Sequence, residues 1–263
     1  MTTTHKNSGF DGLGIAPSIV AQLCKLGFTT PTPIQQQAIP IAIESKDVMG
    51  IAQTGTGKTL AFGIPMIQRL AQSKGMGLIL LPTRELAAQV DQSLKTLGRA
   101  FGLRTAILIG GTAIGPQINA LRKRPHIIIA TPGRLIDHLQ QKTISLSSVN
   151  ILVLDEADRM LDMGFEPQIK KILVSVPTDR RQTMLFSATM PEKITRLAKN
   201  YMQSPLRVQI APQGTAAKNI EQEVFIVPSR KNSRLLMSCS HNIQGAYLFS
   251  AVQSMPQRRL LSR

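Results

Sequence analysis

Short apolar runs alternating with amphipathic stretches predict an α/β fold: a mostly parallel sheet sandwiched by helices. Two observations carry that prediction. Runs at 48–51, 78–81, 105–109, 127–130, 151–154 and 183–186 are predominantly apolar, as strands buried on both faces are. Each run is followed by small, polar or charged residues: 52–59, 82–87, 110–111, 131–134, 155–158 and 187–189. Parallel strands all point the same way, so six clusters that follow six strands must gather along one edge, where open α/β sheets bind ligands. One such cluster alone reads as a strand-to-helix turn, in which Gly, Pro, Ser and Thr are favoured by backbone geometry. Six in register imply a site.

The first element, 48–51, leads into Ala52, Gln53, Thr54, Gly55, Thr56, Gly57, Lys58 and Thr59, a phosphate-binding loop opening a helix. Glycines let consecutive backbone N–H groups turn toward an anion, and the helix N-terminus adds its positive end. Lys58 can reach the outer phosphates of a nucleotide, and the Thr59 hydroxyl can ligate Mg²⁺. The general pattern begins with glycine, and here that position is Ala52. The run 151–154 delivers Asp155 and Glu156 to the same edge, where buried carboxylates need a cation or a proton. Asp155 is placed to hold Mg²⁺ and Glu156 to orient and deprotonate an attacking water.

Composition bounds the partners. The 263 residues, 43% hydrophobic, suffice for one substantial core and the beginning of a second domain. Thirty-one Lys and Arg against 15 Asp and Glu give a formal charge of +16, which favours a polyanionic partner over an acidic protein. Cys24 and Cys239 show neither metal-ligand spacing nor a disulfide framework, and the four histidines are scattered. The first ten residues lack the apolar core of a signal peptide, and no apolar run approaches membrane-spanning length. The expectation is a cytoplasmic protein with no membrane partner.

At Asp155, Glu156, Ala157 and Asp158 the chain resembles the DEAD-box ATP-dependent RNA helicases, and the other clusters match that family in order. The loop 52–59 is the family's own version, alanine included. Pro82, Thr83, Arg84, Glu85, Leu86 and Ala87 follow, then Gly110 and Gly111, then Thr131, Pro132, Gly133 and Arg134, then Ser187, Ala188 and Thr189. Upstream, 27–35 is similar to the adenine-reading Q motif, with Phe10 before it. The resemblance runs from about Phe10 to Leu236, and within the family it is strongest to the bacterial RhlE type. It implies a RecA-like P-loop NTPase domain using ATP and Mg²⁺, with Gln35 bonding the adenine edge and Phe10 packing on the ring. A glutamine amide offers donor and acceptor together, which suits adenine on chemical grounds alone. Lys58, Asp155 and Glu156 would carry hydrolysis, with Ser187 and Thr189 coupling nucleotide state to RNA grip through Asp158.

The resemblance also implies that Pro82, Thr83, Arg84, Gly110, Gly111, Thr131, Pro132, Gly133 and Arg134 line a groove for one RNA strand. Their chemistry suits a backbone reader: glycines permit close approach, hydroxyls and helix N-termini bind phosphate oxygens, and arginines neutralise charge. With no Trp and only 4% aromatic residues, base-stacking platforms are poorly supplied and little sequence preference is expected. Arg122, Lys123 and Arg124 read either as further phosphate contacts or as a solvated helix end.

The expected organisation is an N-terminal segment with the Q motif (1–36), a RecA-like ATP-binding domain (37–212), a linker with the start of a second domain (213–236), and a basic tail expected to be disordered (237–263). From Val224 onward there is no Asp or Glu but six Lys or Arg, without helical or strand period. A truncated product and a natural single-domain protein with a basic arm both fit. The family's second domain supplies arginine fingers, so this chain alone is expected to hydrolyse ATP poorly. The alternative function is a non-catalytic module that binds ATP and RNA.

Overall fold

The computed structural model describes residues 9–179 and 181–210 and forms strands at all six apolar runs, with a seventh after them. They are β1 (Val48–Ile51), β2 (Met76–Leu80), β3 (Thr105–Leu108), β4 (Ile127–Ala130), β5 (Val149–Leu154), β6 (Gln182–Ser187) and β7 (Leu206–Gln209). All neighbours pair parallel, in the order β3-β4-β2-β5-β6-β1-β7. The expected α/β architecture is therefore present. The linker, second-domain start and tail expected beyond 212 lie outside the described residues.

Strand alternation explains why the runs are apolar at nearly every position. Ile127, Ile129, Ile151 and Val153 enter one core cluster, while Ile128, Ala130, Leu152 and Leu154 enter the other. The first cluster is covered by α1 (Pro17–Lys25), α2 (Pro33–Ile43), α3 (Lys58–Gln72) and α4 (Arg84–Gly98). The second is covered chiefly by α6 (Pro132–Gln140), α7 (Ala157–Asp162), α8 (Glu166–Ser175) and α9 (Glu192–Tyr201), with α5 (Ile114–Arg122) packed at its side. Among the described residues no helix is long and apolar enough to cross a membrane.

Boundaries shift where pairing or side chains decide them. β2 and β5 begin two residues earlier than their apolar runs because Met76 pairs with Val149. β3 stops at Leu108 because the next carbonyl, on Ile109, accepts from the Gln117 side chain. Gly50 interrupts an apolar strand because the Phe186 ring lies over it: a Cβ there would sit 2.5 Å from the ring.

Strand order is what assembles the site. The chain leaves β1, passes by way of α3 over two strand positions to β2, and later returns to fill the gap with β5 and β6. The carboxyl ends of β5, β6 and β1 thus become neighbours, as do those of β3, β4 and β2. The edge falls into two halves.

At the amino end of the sheet, buried Asp47 fastens β1, β6 and the segment before β7. Its two oxygens accept the backbone N–H of Thr183 at 2.7 Å and of Gln203 at 2.6 Å. Burial raises its carboxyl above the ordinary range, opposed by those two hydrogen bonds and by Arg181. Removing the acceptor strands two N–H groups, each worth about 1–3 kcal/mol when left unpaired in the interior. Asp47→Ala is expected to lower stability by about that much, read as a reduced denaturant midpoint with unchanged slope; an unchanged midpoint would sink the assignment.

Candidate functional site

The loop from Ala52 to Thr59 follows β1 and opens α3. Two of its glycines take left-handed backbone angles, Gly55 at φ 84° and Gly57 at φ 94°, and Gly57 caps α3. Only glycine adopts these without strain. The second also needs space, because a Cβ on Gly57 would meet the Gln35 amide at 2.5 Å. Thr56 donates to the Gln53 carbonyl at 2.6 Å, bracing the turn. Lys58 and Thr59 occupy the first turn of α3, where backbone N–H groups point outward without helical partners.

Lys58 is 5% exposed and its ammonium lies 2.6 Å from Glu156 Oε1 and 3.8 Å from Asp155 Oδ1. The Thr54 hydroxyl donates to the same Glu156 oxygen at 3.0 Å. Glu156 takes a left-handed conformation at φ 53°, uncommon without glycine, and caps the short α7. That turn sets the carboxylate across from the loop. Two buried carboxylates share one ammonium, so the cluster carries a deficit of positive charge. Burial pushes the Asp155 carboxyl up to about 6, with Lys58 opposing the rise and Glu156 adding to it. Such a deficit suits a divalent cation. Among the described residues no cluster of three or more His, Cys, Asp or Glu could hold a metal. The donor set fits Mg²⁺, which binds through one or two protein oxygens and completes its shell with water and substrate phosphates.

Asp158, three residues on, meets the opposite environment. Thr189 donates to its Oδ2 twice, from N–H at 2.9 Å and hydroxyl at 2.8 Å, and the Arg159 N–H donates to Oδ1 at 3.0 Å. Burial is the largest single influence and pushes its carboxyl up, yet hydrogen bonds from Thr189, Ser187 and Arg159 together hold it below the usual range. Ser187, fully buried, accepts the Asp158 N–H on its hydroxyl at 3.2 Å and the Ala52 N–H on its carbonyl at 3.0 Å. One residue thereby joins the phosphate loop to the Asp158 network.

The adenine-reading segment packs against the loop. Gln35 Nε2 donates to the Gly57 carbonyl at 3.0 Å, and Gln35 Oε1 accepts the Thr32 N–H at 2.9 Å. Phe10 is buried at 1% exposure in the first core cluster, so the structure gives it a packing role at least.

The other half of the edge gathers the remaining clusters. Thr83 caps α4 by accepting the Leu86 N–H at 3.3 Å, Pro82 is buried behind it, and Arg84 is exposed. The Arg84 guanidinium packs on Gly111, where φ is 72° and a Cβ would overlap it. Gly110 lies beside it, half-buried. Thr131 and Pro132 are buried at the start of α6, with Gly133 half-buried after them. Arg134 is less available than its sequence suggests: both Nη atoms donate to the Thr112 carbonyl, at 3.0 and 3.1 Å. It braces the glycine loop against α6.

Two buried polar residues here carry no motif in the sequence. His138, fully buried, contacts Thr143 Oγ1 through Nδ1 at 2.7 Å and Gln117 Oε1 through Nε2 at 3.2 Å. Gln117 in turn donates to Ile109 O at 3.0 Å and Thr112 Oγ1 at 2.8 Å. Their only signal in sequence is a polar side chain on the inward face of each helix.

The Asp155 shift has a signed consequence for the metal-free, nucleotide-free protein. The unfolded chain releases this proton near 3.8 and the folded one at about 6, so the folded state binds it preferentially between those values. Stability from this group therefore falls as pH rises through that window and stays low above it. Asp155→Asn, which keeps an oxygen for the Glu156 N–H, is expected to raise the thermal midpoint at about pH 7.5, the gain vanishing toward about pH 4. Equal midpoints at all pH values would show that burial is not straining this carboxylate.

Comparison with known proteins places this geometry in a lineage. The family model described as DEAD/DEAH box helicase matches residues 32–197. The chain is 42% identical over 260 residues to an ATP-dependent rRNA helicase RRP3 of Mycosarcoma maydis, covering 98% of this chain and 46% of that protein. It is 43% identical over 229 residues to the DEAD-box ATP-dependent RNA helicase CshA of Bacillus cereus, covering 86% and 43%. The crystal structure of a DEAD box protein from Methanococcus jannaschii superposes with a TM-score of 0.73 at 37% identity, covering 89% of this chain and 63% of that one. The chain spans about half the length of the curated relatives it matches. With a RecA-like sheet, the phosphate loop on β1 and paired carboxylates on β5, the chain belongs to the DEAD/DEAH box helicase family.

Proposed function

We propose that residues 37–212 form the first, ATP-binding domain of an ATP-dependent RNA helicase, whose hydrolysis of ATP to ADP and phosphate is coupled to local strand separation. The observation that carries the reading is the buried trio Lys58, Asp155 and Glu156 beneath a phosphate loop. Loop N–H groups and Lys58 bind the phosphates, and Lys58 exchanges its carboxylate partner for phosphate oxygens as it does so. Thr59 and Asp155 would hold Mg²⁺, whose bound charge would supply neutralisation of the phosphates. Glu156, released by Lys58, orients water and accepts its proton.

Adenine selection follows from the hydrogen-bonding capacity of Gln35. A primary amide has two N–H donors and two carbonyl lone pairs. The Gly57 and Thr32 contacts use one of each. One donor and one acceptor remain, matching adenine N7 and its exocyclic amine. Arg84, Gly110, Gly111, Thr131 and Gly133 offer a single RNA strand hydroxyls, close backbone approach and charge, with Pro82, Thr83, Pro132 and Arg134 shaping the surface. The names of the relatives, RNA and rRNA helicases, support RNA as the partner. A cytoplasmic setting and the bacterial RhlE type rest on the sequence wording alone.

A second reading, an ATP- and RNA-binding module without turnover, has one observation in its favour: Glu156 is held by both Lys58 and Thr54. Steady-state ATP hydrolysis with and without single-stranded RNA separates the two, with Lys58→Ala as the blank. We expect RNA-stimulated turnover above that blank, lost in Glu156→Gln while ATP binding persists. In related NTPases an arginine finger is worth about 10³ to 10⁵ in rate, so residues 37–212 by themselves are expected to be slow. Wild type and Glu156→Gln indistinguishable from the blank would leave the binding module.

A further inference from the structure

The opposite edge of the sheet, where strands begin, holds an open cavity of about 800 Å³. The end of α3, the starts of β2 and β4, and the residues just before β3 and β5 enclose it. Met76, Leu121 and Ile144 give it apolar surface, and Lys74, Arg104, Arg124 and His126 stand around it. No Asp or Glu lines it. Among the described residues none of Lys74, Arg104 and Arg124 forms an ion pair, although all three are exposed.

The cationic wall is tied together by its own backbone. Arg104 Nη2 donates to the Arg124 carbonyl at 3.3 Å, and the Arg104 N–H donates to His126 Nδ1 at 3.1 Å. Nδ1 as acceptor assigns the ring hydrogen to Nε2, a further donor at the wall. Arg124 follows α5 with φ at 50°, a left-handed angle uncommon for a long side chain. Three cations line one cavity without a carboxylate among its lining residues to compensate them.

We propose that this cavity is a second nucleic-acid site, taking one nucleoside phosphate with its base over Met76, Leu121 and Ile144 and its phosphate oxygens on Arg104, Arg124 and Lys74. The volume falls within the range of about 300–1,000 Å³ typical of small-ligand sites. An apolar surface accepts any base face. Guanidinium groups bind phosphate oxygens through paired N–H donors, and the absence of carboxylates removes the repulsion that would turn an anion away. The nucleoside phosphate can come from a strand of RNA or from a free nucleotide. Its source as RNA rests on the function proposed above; its chemistry does not.

The test measures binding of a labelled single-stranded RNA to the full chain across a salt series, for wild type, Arg104→Gln/Arg124→Gln and Arg84→Gln, with uridine monophosphate titrated in parallel. Uracil N3–H and O4 can also pair with the free Gln35 groups, so uridine monophosphate is titrated into Gln35→Ala as well, to separate the cavity from the ATP site. The expected result is RNA affinity reduced about tenfold or more in Arg104→Gln/Arg124→Gln, with a salt slope shallower by about 0.7 for each phosphate that is no longer neutralised. Thermal midpoint and ATP affinity should match wild type, and Arg104→Lys/Arg124→Lys should recover most of the slope. Uridine monophosphate binding that disappears in the Gln variant identifies a free nucleotide as a ligand as well; its absence with the RNA effect intact identifies the strand. Unchanged RNA affinity and slope in the Gln variant, without a uridine monophosphate effect, overturns the proposal. If wild type binds no RNA, the RNA reading fails by itself: the cavity then stands if uridine monophosphate binds through Arg104 and Arg124, and falls if it does not.

Discussion

A parallel sheet covered by helices on both faces leaves its polar groups only two places to go. Side chains along these strands alternate between two apolar clusters, so neither face can hold a charge without burying it. Chemistry is pushed to the edges. At the carboxyl edge the strand order places the ends of β5, β6 and β1 side by side, about 4.8 Å from one to the next. Two carboxylates from one strand and an ammonium from the helix after another can therefore meet with no dedicated cavity. β6 between them contributes Ser187, whose buried bonds to Ala52 and Asp158 keep the two outer strands in register.

The same edge shows how two nearly adjacent aspartates are given opposite proton affinities. Asp155 is dominated by burial beside another carboxylate and is raised to about 6. Asp158 is buried too, but donors surround it and its carboxyl is lowered. A carboxylate supplied with donors is structural: its charge is already compensated and little is gained by adding a cation. A carboxylate short of compensation is one that a ligand can stabilise. The strain at Asp155 and the left-handed turn at Glu156 are thus the expected marks of a site whose stability has been traded for binding.

What could be read from the sequence follows the same physics. The strands were legible because burial on both faces leaves few polar positions to blur them, and β1 and β4 have the bounds their runs predict. The phosphate loop was legible because its glycines answer local backbone needs, visible at Gly55 and Gly57. Side-chain partners were not. Nothing near Arg134 in the chain announces that its two Nη atoms go to Thr112, 22 residues away, nor that Gln35 meets Gly57 across the same interval. The run Arg122, Lys123 and Arg124 admitted two readings because its surroundings come from elsewhere; the structure turns Arg124 to the cavity wall beside Arg104.

The two edges act as separate electrostatic surfaces. β5 and β6, central strands that run between them, have six residues each, so the edges lie about 20 Å apart at roughly 3.3 Å per residue. The screening length at physiological salt is about 8 Å. Cations at the amino edge therefore add little to the potential felt by a phosphate at the carboxyl edge, and the carboxylates of the nucleotide site do little to repel an anion from Arg104 and Arg124. Groups this far apart without shared partners contribute independently. Positive charge at the two edges therefore acts as two local fields, each answerable to the residues that surround it.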